Sequence, residues 1–461
     1  MSILAAFMVP HPPMIVPDVG RGSEKQVQKT IDSYIKVAEE IAAIKPDTII
    51  ISSPHSIMYG DYFHISPGSS AKGSFARFGA GRVSFSESYD KELVVKIEDL
   101  ANDSGLRAGT MGERDPELDH GTMVPLYFIR QKYKEGRIIR VGLSGLPLTT
   151  HYKLGQLIAK AVNDLGRRAV YVASGDLSHK LQDYGPYGYA PEGPEYDKRI
   201  MDVCSRAAFG ELFDFDESFC DKAAECGHRS FVIMAGALDG FQVKATQYSH
   251  EDVTGVGYGI CSFYPEGTDD SRKFLDLRLN KRRKELEKMR TDADEYVRLA
   301  RRSLENYILE GSKISIPEGT SAELLDKQAG AFVSIHKDGQ LRGCIGTILP
   351  TTGCVAQEII NNAVSASTED PRFNPITPDE LEWLEINVDV LGEPESISGP
   401  DELDVKRYGV IVTKGYKRGL LLPDLEGVDT VEEQIAIAKR KAGIRPDEEV
   451  ALQRFEVIRH R

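Results

Sequence analysis

Three apolar runs in the first 180 residues each lead into a histidine: AAFMVPHPP into His11, IIISSPH into His55 and VYVASGDLSH into His179. Neutral imidazole is the commonest metal ligand, and it is also the side chain suited to taking up and returning protons near neutral pH. A lone histidine at a strand end is more often a satisfied structural residue. Three brought in by the same device point to one pocket, because open α/β sheets hold ligands beyond the carboxyl ends of their strands. Two imidazoles and one carboxylate leave coordination positions open on Fe(II). The segment AAECGHRSF offers Glu225 as that carboxylate and, next to it, Cys226, a softer donor that suits zinc or copper. Asp176, within SGDLSH, is the other acidic candidate and reads rather as a turn residue holding backbone amides. His228 stands two residues past Cys226, where it would orient a ligand from behind. His64, His151, His250, His336 and His460 read as surface or packing residues.

Positioning these groups requires strands, and β-branched runs alternate with helical periodicity through residue 264, the pattern of an α/β sheet. Strands are expected over 3–9, 48–52, 138–143 and 169–173. Val27, Ile31, Ile35, Ala38, Ile41 and Ala42 recur at three- and four-residue spacing and mark a helix that Lys45 and Pro46 end. Further helices are expected over 91–102, 152–165 and 194–209. A polar stretch without periodicity begins at Pro265, so residues 265–284 read as a linker between a domain over 1–264 and another over 285–461. The second opens on a charged helix over 286–309. Strands follow over 331–336 and 341–345, joined by a tight turn at Gly339, then over 384–391, 409–412 and 419–422, a helix over 431–442 and a last strand over 455–458. The order predicts an α+β domain. Within it Cys344, between two glycines in LRGCIGT, is either a small buried hydrophobe or a reactive thiol.

A chain of 461 residues exceeds one ordinary core. Its formal net charge of −14 opposes a phosphate backbone, so no nucleic acid is expected as partner. The basic cluster at 281–284 runs straight into acidic residues and reads as a solvated helix face. No apolar run approaches the roughly 20 residues that cross a bilayer, and the first is stopped by prolines, so a cytoplasmic protein with no membrane partner is expected. The six cysteines form no CxxC pair, which argues against a zinc ribbon or a disulfide framework.

Five motifs in order, HPP at His11, SPH at His55, DHGTMVPL at His120, SGDLSH at His179 and ECGHRS at Glu225 and Cys226, resemble the motif set of class III extradiol dioxygenase catalytic subunits and Memo proteins. The resemblance covers residues 1–264. It implies a three-layer α/β domain, His11 and His55 as metal ligands, His179 as acid and base, and His120 as a histidine that touches substrate. The third ligand is a glutamate in the dioxygenases and a cysteine in Memo, and this chain carries both. LRGCIGT, EDPRF and LLLPDLEGVDTVEEQ resemble the AMMECR-type domain, smaller and α+β, over 285–461. The two in this order resemble the AmmeMemoRadiSam system protein A family, which implies radical SAM and Memo-like protein partners. The chain itself lacks the CxxxCxxC spacing of a radical SAM cluster. The expected function is thus a metal-dependent enzyme, with Fe(II) first and zinc or copper as alternatives, acting on a small catechol-like aromatic molecule. Its rival is a non-catalytic metal-binding scaffold that recruits partners through the second domain. A homo-oligomer is left open.

Overall fold

The computed structural model describes residues 3–112, 117–425 and 427–461. The chain divides into two compact units, 1–278 and 279–461. The first is built on a six-stranded sheet of β1 (Ile3–Val9), β2 (Thr48–Ser53), β3 (Arg137–Gly142), β4 (Ala169–Ser174), β5 (Phe241–Glu251) and β6 (Tyr258–Thr268). Its order is β3-β2-β4-β1-β6-β5, with the first four strands parallel and β6 and β5 antiparallel. β2 and β4 are buried along their whole length, which is why the sequence shows them as unbroken apolar runs rather than alternating ones.

Helices cover both faces. α1 (Gln28–Ile44) and α3 (His120–Lys132) share a core with Phe7, Val9, Ile49 and Ile51, and α2 (Lys91–Asp103) packs on α4 (Leu148–Asp164). α4 also packs on α6 (His228–Ala237) against the other face of the sheet, while α5 (Glu192–Ser205) lies against β5 and β6. This is the expected three-layer α/β arrangement. Lys45 ends α1 in the left-handed conformation, as the Lys45-Pro46 stop implies.

The stretch read as a linker, 265–284, is instead folded. Pro265 to Thr268 continue β6, paired to Phe241–Val243 of the edge strand, with a register shift between Pro265 and Gly267. Residues from Phe274 belong to a helix, α7 (Phe274–Asp292). The end of an edge hairpin faces water on both sides, so it carries no apolar period to read. The single helix expected over 286–309 is also two. Asp294 breaks it by accepting the Val297 N–H and capping α8 (Glu295–Glu310).

In the second unit, β7 (Ala331–Lys337), β8 (Gln340–Gly346), β9 (Leu384–Leu391) and β14 (Val457–His460) form one antiparallel sheet in the order β8-β7-β9-β14. β10 (Glu395–Ile397), β11 (Gly409–Lys414), β12 (Lys417–Leu421) and β13 (Ala451–Phe455) form another, in the order β10-β13-β11-β12. α9 (Val355–Thr368) and α8 pack on the first sheet, and α10 (Val431–Lys441) on the second. The β7–β8 turn places Asp338 and Gly339 at φ 53° and 78°, the paired positive φ of a tight hairpin. The single last strand expected over 455–458 is two, β13 and β14, parted at Glu456 and paired in different sheets. Among the described residues no helix is long and apolar enough to cross a membrane.

Candidate metal centre

β2, β4 and β1 are consecutive and parallel, so their carboxyl ends open on one crevice. His55 lies two residues past β2, His11 two past β1, and Ser174, Asp176 and His179 occupy the end of β4 and the loop beyond it. The backbone fixes the approach. Tyr34 donates its hydroxyl to the Pro10 carbonyl, and the His11 N–H donates to Asp176 Oδ1 at 2.8 Å. Cys226 arrives from the loop before α6, where Gly175 and Gly227 cross so closely that a Cβ on Gly175 would lie 2.1 Å from the Gly227 Cα. Only glycine permits that crossing.

The Nε2 atoms of His11 and His55 stand 3.0 Å apart, and Cys226 Sγ lies 3.7 Å from His11 Nε2. Ser174 Oγ donates to the Gly121 carbonyl at 2.6 Å and therefore accepts from His11 Nδ1 at 3.0 Å, which leaves the lone pair of His11 on Nε2. Sγ also accepts the Asp176 N–H at 3.3 Å, a contact that favours thiolate. Burial lowers the pKa of His11. Burial, with His11 and His120 nearby, lowers that of His55 to about 4. Both imidazoles are thus neutral donors at pH 7. Burial, then Asp176 and Glu225, push the Cys226 thiol up, a cost that a cation reverses. Two neutral nitrogens and one sulfur aimed at one point fit a transition-metal ion, and the sulfur favours a softer ion than an all-oxygen set would.

Glu225 does not join them. Its carboxylate accepts the His228 N–H at 2.6 Å at the start of α6, and burial raises its pKa to about 7. The two neighbouring side chains meet different partners, Glu225 the first turn of α6 and Cys226 the His11 ring. Asp176, read as a turn residue, lies at the centre: its Oδ1 holds the His11 amide and its Oδ2 is 3.7 Å from His179 Nε2. The ligand atoms of Asp176, His179 and Cys226 all fall within 4.8 Å of one another, as do those of His11, His55 and Cys226. The His179 ring stacks on Tyr187 at 5.0 Å. His120 begins α3, its ring 3.9 Å from that of His55 and 5.4 Å from that of His11. Burial, then His11, lower its pKa to about 4. It lines, with His55, Phe78, Arg77 and Lys72, a cavity of about 1350 Å³.

Several supporting residues escaped the sequence reading. Ser174 sets the His11 tautomer. Asp119 accepts from Ser53 Oγ, from the Thr122 amide and hydroxyl, and from Arg140, and so anchors the first turn of α3 under His120. Both stand inside quoted motifs, VYVASGD and DHGTMVPL, where small size and a capping position were the available cues. His228 is held by Tyr196 and the Leu212 carbonyl and belongs to neither group of converging donor atoms.

The family model described as "Catalytic LigB subunit of aromatic ring-opening dioxygenase" matches residues 5–261, and the one described as AMMECR1 matches 297–460. The chain therefore belongs to the LigB family and carries an AMMECR1 domain after the LigB domain. Protein CA_C1420 of Clostridium acetobutylicum is 42% identical over 478 aligned positions that cover 100% of both chains. A protein of Thermotoga maritima is 55% identical over 168 residues, covering 36% of this chain and 97% of that one. The crystal structure of the uncharacterized protein PH0010 from Pyrococcus horikoshii covers 36% of this chain and 88% of its own, at 36% identity and a TM-score of 0.34.

Proposed function

We propose that the first unit is a metal-dependent oxidoreductase, related to the extradiol ring-opening dioxygenases, that acts on a small aromatic diol. His11, His55 and Cys226 hold the ion. The observation that carries this reading is the approach of the His11 and His55 Nε2 atoms to 3.0 Å, with His55 lining a cavity of about 1350 Å³. When bound, the ion supplies Lewis acidity that lowers the pKa of a coordinated phenol. His179, oriented by Asp176 and Tyr187, takes the phenolic proton and returns it to the product. His120, kept neutral by burial, hydrogen-bonds the substrate, Phe78 packs against its ring, and Lys72 and Arg77 draw an anionic substrate into the cavity.

The test is anaerobic purification with metal analysis, then assay of catechols for the absorbance of ring-opened product. Stoichiometric iron with ring opening that needs His179 supports the proposal; bound metal with no turnover on any diol sinks it. A second reading, a Memo-like scaffold that binds metal without turnover, is favoured by one observation: the third donor atom is the sulfur of Cys226 and not an oxygen of Glu225. Zinc or copper(I) in the purified protein, in place of iron, supports that reading. The placing of the chain in the AmmeMemoRadiSam group, with radical SAM and Memo-like protein partners in the cytoplasm, belongs to the same proposal and rests on the fusion of LigB and AMMECR1 domains in one chain. Co-purification from the native cell tests it.

A further inference from the structure

The second unit contains a cavity of about 650 Å³ between its two sheets, and it shares no residue with the metal centre. Its walls are unevenly charged. Arg459 is satisfied by Asp389 at 2.8 Å. Arg372 is paired with Asp370 at 2.7 Å and Arg301 with Glu305 at 3.2 Å. Arg290 has a buried Nε with no hydrogen-bond partner. Arg301 lies within electrostatic reach of it: burial, then the Arg290 charge, lower its pKa. Two guanidinium groups that repel each other across a cavity wall are stabilised by an anion between or beside them.

The LRGCIGT strand supplies a nucleophile, which shares the cavity lining with Arg372 and Lys441. Cys344 lines the cavity from β8, and its sulfur accepts from Ser334 Oγ at 3.2 Å. Its backbone is clamped on both sides, the N–H donating to Asp370 Oδ2 at 2.9 Å and the carbonyl accepting from Arg372 at 3.2 Å. Opposite, from the last residue of α10, Lys441 lines the same cavity and feels the charges of both Cys344 and Arg372. Among the described residues Lys441 has neither a carboxylate nor a hydrogen-bond partner. Phe332, Leu420 and Leu422 provide an apolar floor between the sheets.

We propose that this cavity binds a small organic anion, with its charged group against Lys441 and Arg372 beside the Cys344 thiol and its apolar body on Phe332, Leu420 and Leu422. The clamp of Asp370 and Arg372 gives EDPRF a purpose, since it fixes Cys344 in the strand and keeps Arg372 in the cavity lining.

Paired alkylation of the full-length protein tests the proposal. Iodoacetate and iodoacetamide deliver the same carbon to a thiol, with and without a negative charge, and peptide mass spectrometry reads the rate at each cysteine. Cys354, in the same unit and outside the cavity lining, is the internal reference. The iodoacetate-to-iodoacetamide rate ratio at Cys344 is expected to exceed that at Cys354 by about tenfold, the low end of what a focused cationic site gives. Lys441→Gln returns it toward the Cys354 value and Lys441→Arg retains it; Lys441 is exposed at the end of its helix, so neither variant threatens the fold. Benzoate slows iodoacetamide at Cys344 and benzamide does not. Equal ratios at the two cysteines, a ratio indifferent to Lys441→Gln, equal protection by benzamide, or a Cys344 inert to both reagents overturns the proposal.

Discussion

Cys226 and Glu225 are neighbours in sequence with opposite assignments in space, one sulfur on the His11 ring nitrogen and one carboxylate on the His228 amide. His11→Ala or His55→Ala is expected to abolish stoichiometric metal binding with an unchanged circular dichroism spectrum, because both lie past strand ends. Cys226→Ser weakens metal affinity by more than about tenfold, since even residues behind a ligand cost 10–100-fold, and Glu225→Gln leaves it intact; competition with a chromophoric chelator measures both. His179→Ala keeps the metal and loses turnover. A further consequence concerns histidines away from the ligand atoms. His151 donates Nδ1–H to the Pro147 carbonyl and accepts the Ser144 N–H on Nε2, and burial lowers its pKa to about 3. Burial likewise lowers His228 to about 4. Both are neutral when folded and bind a proton near pH 6.5 when unfolded, so the unfolded state holds more protons below that pH. Stability therefore falls as pH drops from about 6.5 to 4, by ~2 kcal/mol per histidine at pH 5. Urea midpoints across that range are the check, and a flat profile would contradict the tautomers.

At the scale of elements, the first turn of α3 and the break between α7 and α8 each depend on one aspartate. Asp119 caps α3 and pairs with a guanidinium, that of Arg140, which is 1% exposed. Asp119→Ala removes a buried carboxylate that pairs with that guanidinium and accepts from Ser53 and Thr122, an expected loss of about 3 kcal/mol in denaturant unfolding. It also frees the first turn and so moves His120. Asp294→Ala costs only about 1 kcal/mol, the worth of a cap. Helix boundaries such as the Lys45 stop and strands such as Ile3–Val9 and Leu384–Leu391 were legible because backbone preference and apolar period agree there. The break at Asp294 was not, because an apolar stripe continues through it and the cap is a single side-chain hydrogen bond.

At the scale of the molecule, among the described residues one large buried cluster lies within residues 5–260 and three smaller ones lie within 293–455. Two cores predict two unfolding transitions rather than one. Adding the cognate metal at 100 times its Kd stabilises the first unit by about 2.7 kcal/mol and leaves the second where it was. Scanning calorimetry with and without metal separates the two, and a shift of both together would show a single cooperative unit. The boundary runs inside a helix: Arg278 of α7 pairs with Asp214, whereas Arg282 of the same helix pairs with Glu385.

By itself the sequence determined the fold class and the motifs, because strand ends, turns and caps are local and each leaves its residues in order along the chain. Which of the adjacent Glu225 and Cys226 side chains meets the His11 ring was a tertiary matter, since it turns on the crossing of Gly175 and Gly227, residues 52 positions apart. So was the linker that proved to be strand and helix: pairing to an edge strand has no apolar period to announce it. The second cavity belongs to the same class, because its cysteine and its lysine are nearly 100 residues apart and meet only when two sheets pack. Local preference is written residue by residue, whereas convergence is the product of strand order and of which side chains close packing leaves facing one another.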